Sequence, residues 1–257
     1  MLLPPTLLTS PSLSVTPEPL TRDAFAPFGS AIIPPLPRSV TTAPSPLSSH
    51  PKHPLVATPV AANQLSALKY SPISPLLNNY PSRCPSKQPS EARMSMFSCF
   101  PRTLRIATGT GKDKAGNEKE RVVFDVGILE RHPYTTQTFS PLGLGSDDKT
   151  TYYLVIVAPT LQGETATART ETGEHVSICD PPDLNKLRAF VATGELAVTY
   201  GAGTWHAPMV VVGERRVDFV VTQFVNGVAE EDCQEVCFGE GIVVDLSGRQ
   251  ARTEAKL

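Results

Sequence analysis

From residue 92 onward the chain is written almost entirely in short apolar runs parted by turn residues, and this pattern limits how it can fold more than any other feature. ARMSMFSCF (92–100), RVVFDVGILERH (121–132), QTFSPLG (137–143), TTYYLVIVAP (150–159), HVSICD (175–180), GELAVTYGAG (194–203), APMVVVGE (207–214) and RVDFVVTQFV (216–225) are rich in β-branched and aromatic residues. Each has the length of a strand, and many alternate with a period of two. One segment reads as a helix, DPPDLNKLRAFVATG (180–194): Asp180 or Asp183 can cap it, Leu184, Leu187, Phe190 and Val191 share a face, and Gly194 stops it. Many strands with one late helix predict an all-β fold, an antiparallel barrel or sandwich with a few short helices.

The first hundred residues are organised by proline, of which the chain has 26, most of them before residue 102. PPLPRSVTTAPSPLSSHPKHPL (34–55) has too few apolar side chains to offset its ordering entropy and reads as a surface loop. Ahead of it, Thr21 can cap a short helix that ends near Phe28-Gly29, with a strand to follow. Residues 1–18 read as a disordered leader, since Pro4 and Pro5 break the apolar run a secretory signal needs. GTGKDKAG (109–116) lacks the GxxxxGK[ST] spacing of a phosphate loop and is expected to be a charged hairpin excursion. The chain ends in Ala255-Lys256-Leu257, a variant of the SKL tripeptide, which predicts recognition by the peroxisomal import receptor.

A formal net charge of −2 offers nothing to phosphate backbones, so a nucleic-acid function is disfavoured. No apolar stretch approaches the roughly 20 residues of a membrane span, so neither partner class is expected. The five cysteines (Cys84, Cys99, Cys179, Cys233, Cys237) contain no CxxC pair and form an odd set, which predicts reduced thiols in an intracellular compartment.

Chemistry concentrates in LERHPYTTQTFSPLG (129–143) and GTWHAP (203–208). Glu130 and His132 lie two apart on a strand and so point to one face, Gln137 follows, and His206 falls in a second strand region. Imidazole, carboxylate and an amide oxygen together suit a first-row divalent ion.

The spacing is similar to that of cupin barrels, whose first motif has the form HxHx4E with a run ending in glycine, and whose second sets a glycine three residues before a lone His. Here Glu130, His132 and Gln137 precede Gly143, and Gly203 precedes His206, with Glu standing for His and Gln for Glu. LTRDAFAPFGSAI (20–32), AANQ (61–64), LERHPYTTQTFSPLG, DLNKLRAFVATGELAVTYGAGTWHAPMVVVGERRVDFVV (183–221) and DCQEV (232–236) closely resemble ureidoglycolate lyases in the same order.

The resemblance implies a single cupin-like barrel or jelly roll over residues 19–248, with polar insertions at 34–57, 106–120 and 163–175 and a tail at 249–257. It implies a carbon–nitrogen lyase that eliminates urea from (S)-ureidoglycolate to give glyoxylate in allantoin breakdown, assembled as a homodimer in the peroxisome or cytoplasm. Such a site would use Glu130, His132, Gln137 and His206 on a nickel or manganese ion. In a metal-free scheme Glu130 would be the base and a His the acid. Asp218 would act on substrate or orient a His, and Asn63, Gln64, Lys69, Tyr200 and Trp205 would bind substrate or wall the cavity. Two other classes stay open: another cupin-type metal enzyme, an epimerase or oxygenase, and a non-catalytic barrel whose Pro-rich segment recruits partners.

Overall fold

A computed structural model describes residues 3–44, 53–112 and 118–248, and the fold over them is all-β. Three sheets stack as layers. The central sheet has ten strands, with Ile128–Arg131, Trp205–His206, Tyr152–Ala158 and Arg188–Ala192 adjacent in its middle. A five-stranded sheet covers one face, in the order Gly29–Ile32, Ala197–Tyr200, Gln137–Leu142, Val217–Val225, Glu91–Cys99. A four-stranded sheet built on Arg105–Lys112, Glu118–Asp125 and Ile242–Asp245 lies against the other.

The central strands have a core on each side, which is why TTYYLVIVAP is continuously apolar rather than alternating. Tyr153, Val155 and Val157 join Phe190, Val198, Phe139, Phe219 and Val221 in the core beneath the five-stranded sheet. Leu154, Ile156 and Ala158 join Leu129, Trp205, Phe124, Val236 and Val244 in the other. Phe190 closes the first core edge-on to Phe25, ring centroids 5.4 Å apart. Truncating such a fully buried ring costs about 3–5 kcal/mol.

The segment expected to be a helix over 180–194 is instead a 3-10 turn at Leu184–Lys186 followed by the strand Arg188–Ala192. Asp183 gives no side-chain cap bond. Ala189 and Val191 face one core and Phe190 the other, so the run is apolar on both faces, which a short window cannot tell from a helical stripe.

The N-terminal leader is also corrected. Thr6–Leu7 pairs with the strands Thr165–Arg169 and Gln234–Cys237, Leu13–Val15 with Ile242–Asp245, and Glu18–Pro19 with Arg188–Ala192. These pairings are one to three residues long and partner distant segments, so no local periodicity signals them. Likewise the segment 163–175, read as a surface insertion, contributes Thr165–Arg169 to the central sheet and the fully buried Ala168 to its core. The short helix Arg22–Phe25 does form, with the Thr21 hydroxyl accepting from the Ala24 amide. The tail 249–257, residues 45–52 of the Pro-rich segment and residues 113–117 of the charged hairpin lie outside the described residues. Among the described residues no helix is long and apolar enough to cross a membrane.

Candidate active site

The motif residues meet between the central and five-stranded sheets. Glu130 stands opposite His206 on neighbouring antiparallel strands, and His206 stands opposite Val157 on the next. Cross-strand partners share a face. The Glu130 carboxylate Oε1 lies 3.3 Å from His206 Nε2, and the ring centroids of His132 and His206 are 5.5 Å apart. One ligand atom from each of the three lies within 4.8 Å of the others. That is a few tenths of an ångström wider than two metal–ligand bonds of about 2.2 Å.

Local structure fixes these side chains. The Gly203 amide donates to the His132 carbonyl at 2.8 Å from a left-handed backbone, φ +82°, which glycine adopts without strain. The Thr160 hydroxyl donates to the Gly203 carbonyl and the Thr204 hydroxyl to the Phe28 carbonyl, so the turn before His206 is tied at two points.

The tautomers follow from the partners. His132 Nδ1 is 2.6 Å from the Asp232 carbonyl and His206 Nδ1 is 3.0 Å from the Thr204 carbonyl. A carbonyl only accepts, so both Nδ1 atoms carry a proton, and in the neutral ring Nε2 is the free lone pair. Among the described residues neither Nε2 has a hydrogen-bond partner, and both are buried. The close approach of His206 Nε2 to Glu130 is a contact in distance without hydrogen-bond geometry. Burial, then the neighbouring His206, pushes His132 down to about 4, so it is neutral at physiological pH. Burial acts to raise the Glu130 carboxyl, but His206 and then His132 outweigh it and hold it below the ordinary carboxylate range. Glu130 is therefore ionised.

Tyr200 and Gln137 are in register on the inner face of the five-stranded sheet, and Tyr200 is stacked on His206. Gln137 is buried, and its carbonyl oxygen has no partner. The site thus gathers groups able to act as acceptors: two buried imidazole Nε2 atoms, a half-buried carboxylate and a buried amide oxygen. Orphaned acceptors cost about 1–3 kcal/mol each unless a cation or a donor satisfies them. The donor set fits a divalent ion.

Other residues singled out from sequence are placed elsewhere. Asp218 is in register with Leu142 and Ser98 on the outer face of the five-stranded sheet, where Arg216 holds it at 2.9 Å; strand parity turns it away from Gln137. Trp205 lies across the central sheet from His206, under the Arg131 guanidinium, and donates to the Asp180 carbonyl, so it packs rather than walls the site. A cavity of about 430 Å³ opens on that opposite face beside Arg131 and Trp205. Asn63, Gln64 and Lys69 belong to the hairpin Val60–Ala62/Ala67–Lys69, whose strands pair only with each other, and the described contacts bring none of them to the triad.

Three residues the sequence reading missed support the site. Gln223 accepts from Gln137 Nε2 at 2.6 Å. Tyr80 donates to the Asp232 carboxylate at 2.7 Å, and that carboxylate also takes the amides of Asn226 and Gly227, fixing the turn whose carbonyl orients His132. A signal for Gln223 was present: Val217, Phe219 and Val221 are the inward positions of an alternating strand, and Gln223 continues their parity as a polar residue.

The family model described as Ureidoglycolate lyase matches residues 12–245. A protein of Schizosaccharomyces pombe named ureidoglycolate lyase is 33% identical over 215 residues, covering 84% of this chain and 86% of its own. One of Saccharomyces cerevisiae with the same name is 35% identical over 187 residues, covering 71% and 80%. One of Pseudomonas savastanoi pv. phaseolicola is 30% identical over 152 residues, covering 57% and 74%. With the match running through the strands that carry Glu130, His132, Gln137 and His206, the chain belongs to the ureidoglycolate lyase family.

Proposed function

We propose that this protein is a ureidoglycolate lyase that releases urea from ureidoglycolate and leaves glyoxylate, a step of allantoin breakdown. Family membership supplies the reaction, and the observation that carries it to this site is the convergence of the half-buried Glu130 carboxylate with the buried Nε2 atoms of His132 and His206, which have no hydrogen-bond partner among the described residues.

The elimination moves one proton. The hydroxyl loses its proton, the oxygen's electrons form the carbonyl, the carbon–nitrogen bond breaks with its pair on nitrogen, and nitrogen gains a proton as urea departs. An ionised carboxylate can perform both transfers in turn, and Glu130 is held ionised. His132 is poorly suited to act as the acid, because burial keeps it neutral and its proton is committed to the Asp232 carbonyl. Glu130, His132, Gln137 and His206 would hold a divalent ion such as nickel or manganese, which when bound would polarise the substrate hydroxyl and lower its pKa. Tyr200 would seat the His206 ring from behind.

Product analysis tests this reading: purified protein is given ureidoglycolate, and glyoxylate, urea and ammonia are followed, with and without chelator. Glyoxylate with urea is the expected result. Ammonia in place of urea would mean hydrolysis of the ureido group and would sink the proposal.

Assembly as a homodimer belongs to the same reading. The edge strand Glu91–Cys99 supports it, since Met94 and Met96 expose 73% and 55% of their surface on the outer face; light scattering of the purified protein tests it. Import into the peroxisome rests on Ala255-Lys256-Leu257. A fluorescent protein carrying the last ten residues should become punctate, and one lacking Leu257 should not.

A further inference from the structure

The orientation of the Gln137 amide decides what kind of site this is. With its oxygen turned inward, the site presents acceptors alone; with its NH2 turned inward, it would present a donor to Glu130 and the imidazoles and repel a cation. Nothing within the Gln137 side chain selects between the two, because its ends are nearly the same size.

The selection comes from the next strand. Gln223 lies on the same inner face of Val217–Val225, which pairs with Gln137–Leu142, and its Oε1 accepts from Gln137 Nε2 at 2.6 Å. That bond turns the NH2 end toward Gln223 and leaves the Gln137 oxygen buried without a partner among the described residues. The neighbouring backbone is fixed as well: the Phe224 amide donates to the Thr135 hydroxyl at 3.0 Å, clamping the strand to the loop between His132 and Gln137.

We infer that Gln223 is a positioning residue that holds the carbonyl oxygen of Gln137 toward the Glu130–His132–His206 cluster, making it the fourth ligand of a divalent-cation site. This rests on the reading of that cluster as the catalytic centre. The role requires only an acceptor at position 223. A carboxylate there serves as well as an amide, and a side chain without an acceptor does not.

The test is calorimetric titration of metal-free protein with Ni²⁺, which reads affinity rather than turnover. Gln223→Met should weaken Ni²⁺ binding by about 10–100-fold, the usual effect of losing a group that orients a ligand. Gln223→Glu, which can only accept from Gln137 Nε2, should stay within about threefold of the parent, well inside that range. Gln137→Met should lose as much as Gln223→Met, with no further loss in the double variant, because both remove the same interaction. Gln223→Leu, which also lacks an acceptor, should lose as much and keeps the test open where Gln223→Met folds poorly.

Parent-like affinity in Gln223→Met, or equal loss in Gln223→Met and Gln223→Glu, would overturn the assignment of Gln223. His206→Ala separates this from the parent reading: it should abolish Ni²⁺ binding, and parent-like affinity there would overturn the metal site itself whatever the Gln223 variants do.

Discussion

The Tyr200 ring lies flat against the His206 imidazole, with centroids 3.8 Å apart and planes 14° from parallel. Its hydroxyl is fully buried with no hydrogen-bond partner among the described residues, and burial pushes the phenol well above its ordinary value. Stacking and hydroxyl are thus separable. Tyr200→Phe keeps the stack and removes an orphaned polar group, so urea denaturation should show a gain of about 1 kcal/mol, with kcat/KM unchanged. Tyr200→Leu should lose about 2–4 kcal/mol of stability and lower kcat.

Replacing the triad should abolish turnover while replacing Asp218 should not. Glu130→Gln and His206→Ala are expected to cut kcat by about 10²–10⁴, the usual scale for proton-transfer groups. Asp218→Asn, which disturbs a half-exposed carboxylate held by Ser98 and Arg216 on the outer face, should stay within about twofold, since such pairs contribute little. Glyoxylate formation measured on the three variants side by side checks this.

Tyr80 acts on His132 through Asp232. Tyr80→Phe frees one carboxylate oxygen from a buried bond and loosens the turn whose carbonyl takes His132 Nδ1–H. We expect about a tenfold fall in kcat with KM little changed, together with a loss of about 1 kcal/mol in denaturant unfolding. A fall in stability with kcat intact would assign Tyr80 to packing alone.

Acid should weaken the same turn. Burial works to raise the Glu231 carboxyl, but bonds from Ser86 and Asn226 outweigh it and hold it below its ordinary value. The group is therefore more acidic folded than unfolded, so its contribution is complete above the unfolded value and lost as pH falls through the folded one. Melting temperature should drop below about pH 4.3, and Glu231→Gln should be less stable at neutral pH with a shallower acid slope.

The thiols should differ in reactivity. Cys179 is exposed, whereas burial, then Glu130, Glu235 and Asp232, pushes Cys233 up to about 12. Only the thiolate is alkylated, so at pH 8 iodoacetamide should modify Cys179 in preference to Cys233. Peptide mass spectrometry after brief labelling would show the order, and equal labelling would contradict the half-buried placement of Cys233.

Much of the site was legible because its motifs lie within strands. Glu130 and His132 share a face by parity, and parity also set Arg131 on the opposite face, where it stacks on Trp205 at 4.8 Å. The same rule reads Gln223 as inward, a polar residue continuing the apolar stripe of Val217, Phe219 and Val221. Asp218 has the opposite parity to Val217, Phe219 and Val221, which argued for the outer face that it occupies.

What the sequence by itself determined was local: the all-β class, the capped turn at Thr21, several of the strand runs after residue 91 and the faces on which the motif residues stand. These follow from a period of two and from turn chemistry, which act over a few residues. Tertiary structure decided the pairings. Thr6–Leu7 joins the central sheet beside a strand more than two hundred residues away, Arg188–Ala192 becomes a strand because cores lie on both its faces, and Gln223 meets Gln137 across 86 positions. Each of these depends on register between distant segments, which is fixed by burying one set of side chains against another, and no local window of the chain contains both sets.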